Sequence, residues 1–281
     1  MSTLAIIAGG GELPRAVARS ARDAGRDVFV VGLRGAADPE IAEFPHDWIS
    51  LGEAGRLFRL LRAHDCGDVL FAGRVARPKL SELKVDAKGV LLLPRVIAAT
   101  RAGDDALLRA LMDIIAGEGF RAVGVAEAAP GLVAPVGVLG RAKPDAEHED
   151  DIALGVRVVR RLGALDVGQS AVVCAGLVLA VEAAEGTDAM ILRVSELQEN
   201  MRGTEARPRG VLVKALKPAQ DGKTDLPVIG VQTVANARRA HLAGIAIEAG
   251  RTLIVNRTAV IAAADAASMF LIAFPSSAHE Q

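Results

Sequence analysis

No tyrosine occurs in this chain of 281 residues, and aromatic residues together make up only 3% of it. Proteins that hold single-stranded nucleic acid stack its bases on aromatic rings, and that platform is missing here. The formal net charge is -1, so no bulk field draws a polyanion. No nucleic-acid partner is expected. Cysteine is equally scarce: Cys66 and Cys174 lie far apart, and neither belongs to a C-x-x-C pair. A disulfide framework and a zinc knuckle are thereby disfavoured, and a reducing cytoplasm fits. The five histidines (His46, His64, His148, His241, His279) form neither H-x-H nor H-E-x-x-H, which argues against zinc and against the His-Asp clusters of two-metal phosphoesterases. A Walker loop and a G-x-S-x-G elbow are also absent. The opening MSTLAIIAGGGELP lacks the basic region of a signal peptide. The longest uncharged runs, such as Ser170 to Val181, fall well short of the ~20 residues of a spanning helix. At most a peripheral membrane contact is expected.

What the chain does contain is aliphatic. Hydrophobic residues make up 51% and charged residues 24%, enough for buried cores in one large or two ordinary domains. In the first half, strand-like LAIIA, DVFVVGL, DWISL and DVLFAG alternate with helical runs such as GEAGRLFRLLRAHDCG. A further helix, GDDALLRALMDIIAGEG, precedes a strand RAVGVAE. This βαβα order predicts a Rossmann-like parallel sheet with helices on both faces. From Ala129 to Pro144 the composition shifts to Gly, Pro, Val and Ala, placing the boundary between a first domain (1–132) and a second (133–281). The second opens with a helix, DAEHEDDIALGVRVVRRLG, and continues with strand-rich SAVVCAGLVLAVEAAEG, helical DAMILRVSELQEN, and the strands RGVLVKAL, LPVIG, GIAIEAG and TLIVN. It is α/β or α+β, with a strand order that the sequence does not disclose.

Candidate binding residues stand where a doubly wound sheet presents ligands, just past its strand ends. Gly9-Gly10-Gly11 follows the first strand, where backbone amides can meet an anion. It nearly matches G-x-G-x-x-G, but Pro14 replaces the third glycine. Arg34 occupies the end of the second strand, where an NAD-binding acid belongs. NAD is disfavoured, NADP stays open as an alternative oxidoreductase reading with Arg34 at a 2′-phosphate, and a tight turn without ligand is the structural alternative. Gly73 and Arg74 follow the fourth strand. Gly103 and Asp104 open a helix, where Asp104 could be an ordinary N-cap.

In the second half, EGTDAM places Thr187 and Asp188 at a helix start, and KALKPAQDGKTDLPVIG crowds Lys214, Lys217, Asp221, Lys223 and Asp225 between apolar runs. Mg²⁺ takes one or two carboxylates together with water and phosphate oxygens. Asp188, Asp221 and Asp225 could supply the carboxylates, and Lys214 and Lys217 could balance phosphate charge. The competing explanation is structural: Asp188 as an N-cap and DGK as a hairpin turn.

Taken in order, AGGGELP, AGRVARP, GDDALLRA, EGTDAMILR and KPAQDGKTDLPVIG resemble the UDP-2,3-diacylglucosamine pyrophosphatases of the LpxI type, from Leu4 to about Phe274. The resemblance implies a cytoplasmic two-domain enzyme of lipid A synthesis, peripheral at most on the inner membrane, with its active site in the cleft between domains. It implies Mg²⁺-dependent hydrolysis (Mn²⁺ substituting) of that nucleotide-sugar lipid to UMP and 2,3-diacylglucosamine 1-phosphate. Asp225, Lys214, Lys217 and Asp188 would be catalytic, and Asp225, Asp188 and Asp221 would hold metal. Gly10, Gly11, Glu12, Leu13, Gly73, Arg74, Gly103, Asp104, Thr187 and Gln220 would line the substrate. A homodimer is compatible with this, and a non-catalytic nucleotide-sugar-binding protein is the remaining alternative.

Overall fold

The computed structural model describes residues 2–76, 84–101, 103–217 and 226–276, without the side chains of Asp104 and Asp105. Described residues up to Gly131 form one compact unit, and those from Leu132 form another.

In the first unit, β1 (Thr3–Ala8), β2 (Val28–Leu33), β3 (His46–Ile49), β4 (Cys66–Ala72) and β5 (Arg121–Ala122) make a parallel sheet of order β3-β2-β1-β4-β5. No residue of β1 or β2 is exposed, as expected of central parallel strands covered on both faces. On one face, Ala5, Ile7, Phe29, Val31 and Val69 pack with Phe58 and Leu61 of α2 (Ala54–Ala63) and Ile115 of α4 (Asp104–Gly117). α1 (Leu13–Asp23) buries Val17, Ala18 and Ala21 and lies against β1, β2 and β4. The order reverses between β1 and β4, so the loops leaving these two strands flank a topological switch point. The Rossmann-like expectation for this half holds.

Two local readings need correction. The strand expected over RAVGVAE keeps only Arg121–Ala122, after which Val125–Ala128 coils into a short helix, α5. β5 is an edge strand paired at two positions only, and its Ala- and Glu-containing continuation has no ladder to hold it extended. The sequence reading also passed over α3 (Ala87–Arg101). This helix carries Pro94 in its interior and buries only Gly89 among its described residues, so it has neither a clean period nor an uninterrupted pattern.

The second unit contains a mixed sheet of order β6-β13-β11-β9-β7-β8. Its strands are β6 (Gly137–Val138), β7 (Ser170–Cys174), β8 (Leu177–Val181), β9 (Val211–Lys214), β11 (Gly244–Glu248) and β13 (Phe270–Phe274). β9, β11 and β13 run parallel, and β6, β7 and β8 are antiparallel to their neighbours. β10 (Val228–Ile229) and β12 (Leu253–Ile254) pair separately. Val172, Ala180, Leu212, Ile245, Ile247 and Leu271 form one apolar face with residues of α7 (Gly186–Ser195), α8 (Val231–Arg239) and α9 (Arg257–Ala266). Ala171, Val211, Val213, Ala246 and Phe270 form the other with Ile152, Val156 and Val159 of α6 (Ala146–Ala164). The period of two divides each strand between these cores.

Asp145 caps α6 through the His148 amide at 3.0 Å, and buried Asp151 accepts the Ala175 and Gly176 amides at 2.9 and 2.7 Å, fixing the β7–β8 turn. α7 stops at Ser195, short of the helix expected through Asn200. Beyond its end the Arg202 side chain takes the Leu197 carbonyl at 2.8 Å, an acceptor that a continuing helix would have used.

Candidate active site

The register of β7 and β9 explains the most polar part of the second unit. Lys214, the last residue of β9, lies directly opposite Ser170, the first of β7. On the other side of β7, the Glu182 amide bonds the Ser170 carbonyl at 2.9 Å just past the end of β8. Directly opposed residues share a sheet face, so Glu182, Ser170 and Lys214 form a row at the end of the apolar layer beneath α7 to α9. All three are buried, with 8%, 1% and 5% exposure respectively. Long charged side chains are rarely buried without a partner.

The first turn of α7 closes over this row. Lys214 Nζ donates to Thr187 Oγ1 at 2.6 Å, and Thr187 donates onward to Glu182 Oε1 at 3.1 Å. Ser170 Oγ lies 3.3 Å from the same hydroxyl. Glu182 Oε2 is buried with no hydrogen-bond partner among the described residues, an arrangement that costs about 1–3 kcal/mol wherever it is not compensated. One residue on, Asp188 Oδ1 accepts from Asn236 Nδ2 at 2.9 Å, and Asn236 is itself held by Gln232 at 2.9 Å. Asp188 is therefore not the N-cap that one sequence reading allowed. Glu185 takes the cap position, and the Asp188 carboxylate reaches across to α8. Lys217 pairs with Asp166 at 2.7 Å, with Asp166 about half exposed. Neighbouring Leu216 is anchored differently, its amide donating to buried Glu248 at 2.9 Å.

In the first unit, Gly9-Gly10-Gly11 and Gly73-Arg74 meet at the switch point. Gly10 and Arg74 exchange two backbone hydrogen bonds, at 2.8 and 2.9 Å. A Cβ on Gly9 would lie 2.6 Å from the Arg74 carbonyl oxygen, and one on Gly73 2.8 Å from that of Gly10, so both must be glycine. The amide of Gly9 bonds Ala72 O at 2.8 Å, that of Gly10 bonds Arg74 O, and that of Gly11 bonds Asp38 Oδ2 at 2.8 Å. All three amides of this loop have internal acceptors, and at Gly11 the acceptor is a carboxylate of the chain itself. Glu12 stands at the N-cap of α1 without a side-chain cap bond, and Leu13 is half-buried. Arg74 is exposed, with no side-chain partner among the described residues. Arg34 reaches the Trp48 carbonyl at 3.5 Å. Gly103, at φ 114°, takes the N-cap of α4, so Asp104 is the first helical residue and not the cap.

Gly10, Gly11, Glu12, Gly73 and Arg74 thus gather in one unit, and Thr187, Asp188 and Lys214 gather in the other. Gln220, Asp221 and Asp225 lie outside the described residues. Among the described residues no three His, Cys, Asp or Glu side chains gather into a metal site. Asp188 offers one carboxylate, steadied by Asn236, and it is a hard oxygen donor of the kind Mg²⁺ takes. Sequence reasoning missed Glu182, Ser170 and Asn236. The first carried a usable signal, as an acid directly ending the apolar run LVLAV. The other two depend on register and helix packing.

Residues 3–132 match the LpxI N-terminal domain model, and residues 135–272 match the LpxI C-terminal domain model. A UDP-2,3-diacylglucosamine pyrophosphatase LpxI of Caulobacter vibrioides is 50% identical over 272 residues, 97% of either chain. A solved CobK precorrin-6A reductase aligns with 100% of this chain and 90% of its own, at 13% identity and a TM-score of 0.32, too low to carry weight. Matched in both halves, and half identical to a relative from end to end, the chain belongs to the LpxI family.

Proposed function

We propose that this protein hydrolyses the diphosphate of UDP-2,3-diacylglucosamine, a step of lipid A synthesis. Water adds to a phosphorus of the P–O–P bridge, the bridge bond breaks, and UMP and 2,3-diacylglucosamine 1-phosphate leave. The observation that carries this reading is the 50% identity to a pyrophosphatase of that name over 97% of both chains. The chemistry of the buried polar row agrees with it. Lys214, held by the Thr187 hydroxyl, presents a fixed ammonium to charge that grows as the bridge breaks. On the first unit, exposed Arg74 would attract a phosphate group. Asp225 is assigned the proton-accepting or metal-holding role that the family resemblance implies. Mg²⁺ would be held by Asp188 with Asp221 and Asp225, and when bound it would polarise a phosphoryl oxygen.

The test is purified protein with UDP-2,3-diacylglucosamine and Mg²⁺, followed by mass spectrometry. Equimolar UMP and the sugar 1-phosphate are expected, with loss of turnover in EDTA and recovery on added Mg²⁺ or Mn²⁺. Asp225→Asn should keep its melting temperature and lose roughly 10²–10⁴-fold in kcat. An intact substrate after prolonged incubation would sink the hydrolase reading. Full activity after exhaustive chelation would sink only the metal.

A further inference from the structure

Among the buried acids of the second unit's described residues, Glu182 stands apart. Its surroundings are a sheet end, the first turn of α7 and the apolar layer below, and yet a carboxyl group stands there with one oxygen lacking a partner among the described residues. The other buried acids of this unit are well provided with donors. Asp151 accepts two backbone amides, and Glu248 accepts the Leu216 amide and the Ser276 hydroxyl. Departures from full satisfaction collect at functional sites. Among the described residues the Glu182 carboxylate reaches only the Thr187 hydroxyl, and that hydroxyl is the acceptor for Lys214.

Direction follows from donor inventory. An ammonium only donates, and a hydroxyl has one proton to give. Because Thr187 gives its proton to Glu182 Oε1, its lone pairs are turned toward Lys214 Nζ, 2.6 Å away. Without Glu182 the hydroxyl rotor is free to turn to Ser170, whose Oγ lies 3.3 Å away, and the acceptor aimed at Lys214 goes with it.

We propose that Glu182 is a positioning residue of the reaction: through the Thr187 hydroxyl it sets the place of the Lys214 ammonium without touching the substrate. This rests on the proposed diphosphate hydrolysis, and it adds to that reading a residue that no motif of the chain singled out. The backbone of Glu182 is fixed from a second side. It packs directly on Gly168, where any side chain would collide with the Glu182 carbonyl.

The experiment compares wild type, Glu182→Ala, Thr187→Val, Thr187→Ser and the Glu182→Ala/Thr187→Val double variant in two measurements. In the first, steady-state kinetics on the lipid nucleotide, Glu182→Ala and Thr187→Val should each lower kcat by about 10- to 100-fold, the scale of a displaced catalytic group. KM should stay within about threefold, and Thr187→Ser should recover most of the loss, because it restores a hydroxyl and nothing else. The double variant should fall no further than the worse single one, since both remove the same chain. In the second, the side-chain NMR signal of Lys214 is followed in lysine-labelled protein and assigned by its loss in Lys214→Met. That signal should move in Glu182→Ala and Thr187→Val, and return in Thr187→Ser, whether or not the protein turns over. Folded Glu182→Ala with wild-type kcat, additive losses, or an unmoved Lys214 signal would each overturn the proposal. If wild type leaves the substrate intact, the hydrolase reading fails by itself, and the Lys214 signal alone decides whether Glu182 positions that ammonium.

Discussion

Asp68, at the amino-terminal end of β4, shows what a buried acid does when it belongs to the scaffold. Arg121 donates to it twice, at 2.7 and 2.6 Å, and Arg26 pairs with it as well. The Arg121 bonds, ahead of the Arg26 pair, hold its carboxyl below the usual aspartate range against the upward push of burial. A depressed folded-state pKa contributes stability that is present above the unfolded value, near 3.9, and is lost as pH falls through the lower folded value. Asp68→Asn should therefore cost about 1–3 kcal/mol at pH 7. The Arg121 side chain is 61% exposed, so its share is screened by solvent. Thermal melts at pH 7, 4.5 and 3 should show the gap between the two proteins closing below about pH 4, with turnover at pH 7 unchanged. Equal melting at pH 7 would mean that the pairs contribute nothing net.

Among the elements, the central strands were the most legible, because LAIIA, VFVVGL and GIAIE are apolar runs bounded by glycine or charge. α6 was legible from its acidic start, and the structure supplies the reason in the Asp145–His148 capping box. α8, α9 and β13 were not read at all. Their sequences, VQTVANARR, RTAVIAAADA and FLIAF, are either too short or too rich in alanine for a period to stand out. At the candidate site the Thr187–Asp188 pair and Lys214 could be picked out as residue types. The row they join could not, because it is created by pairing across strands and not by spacing along the chain. α6 also illustrates packing that sequence cannot show. A Cβ on its Gly155 would lie 2.5 Å from Val213 Cγ2 and 2.9 Å from Val213 Cβ, so the helix approaches the sheet as closely as glycine permits. Gly155→Ala gains about 1 kcal/mol of helix propensity and should still destabilise by about 1–2 kcal/mol through overpacking. Urea unfolding measures the balance, and a neutral or stabilising alanine would mean that α6 has room to shift.

For the whole molecule, among the described residues no helix is long and apolar enough to cross a membrane, while the proposed substrate carries two acyl chains. Protein associated with membranes in a cell extract should accordingly be released by high salt or alkaline carbonate without detergent, and recovery in detergent alone would contradict this. The polar row of the second unit has a further consequence, for how the chain finds its fold. Lys214 shares its sheet face with Leu212 and Ile247, while its neighbours Val213 and Ala215 point into the layer beneath α6. Were β9 to pair with β7 one residue out of step, every side chain of the strand would change faces, and the ammonium would leave the Thr187 hydroxyl for the layer that holds Ile152, Val156 and Val159. A strand of four aliphatic residues would tolerate that slip at little expense, whereas one ending in lysine does not. The charge assigned to the chemistry thus also acts as a proofreading mark during folding, admitting one alignment of the central strands and rejecting its nearest competitor.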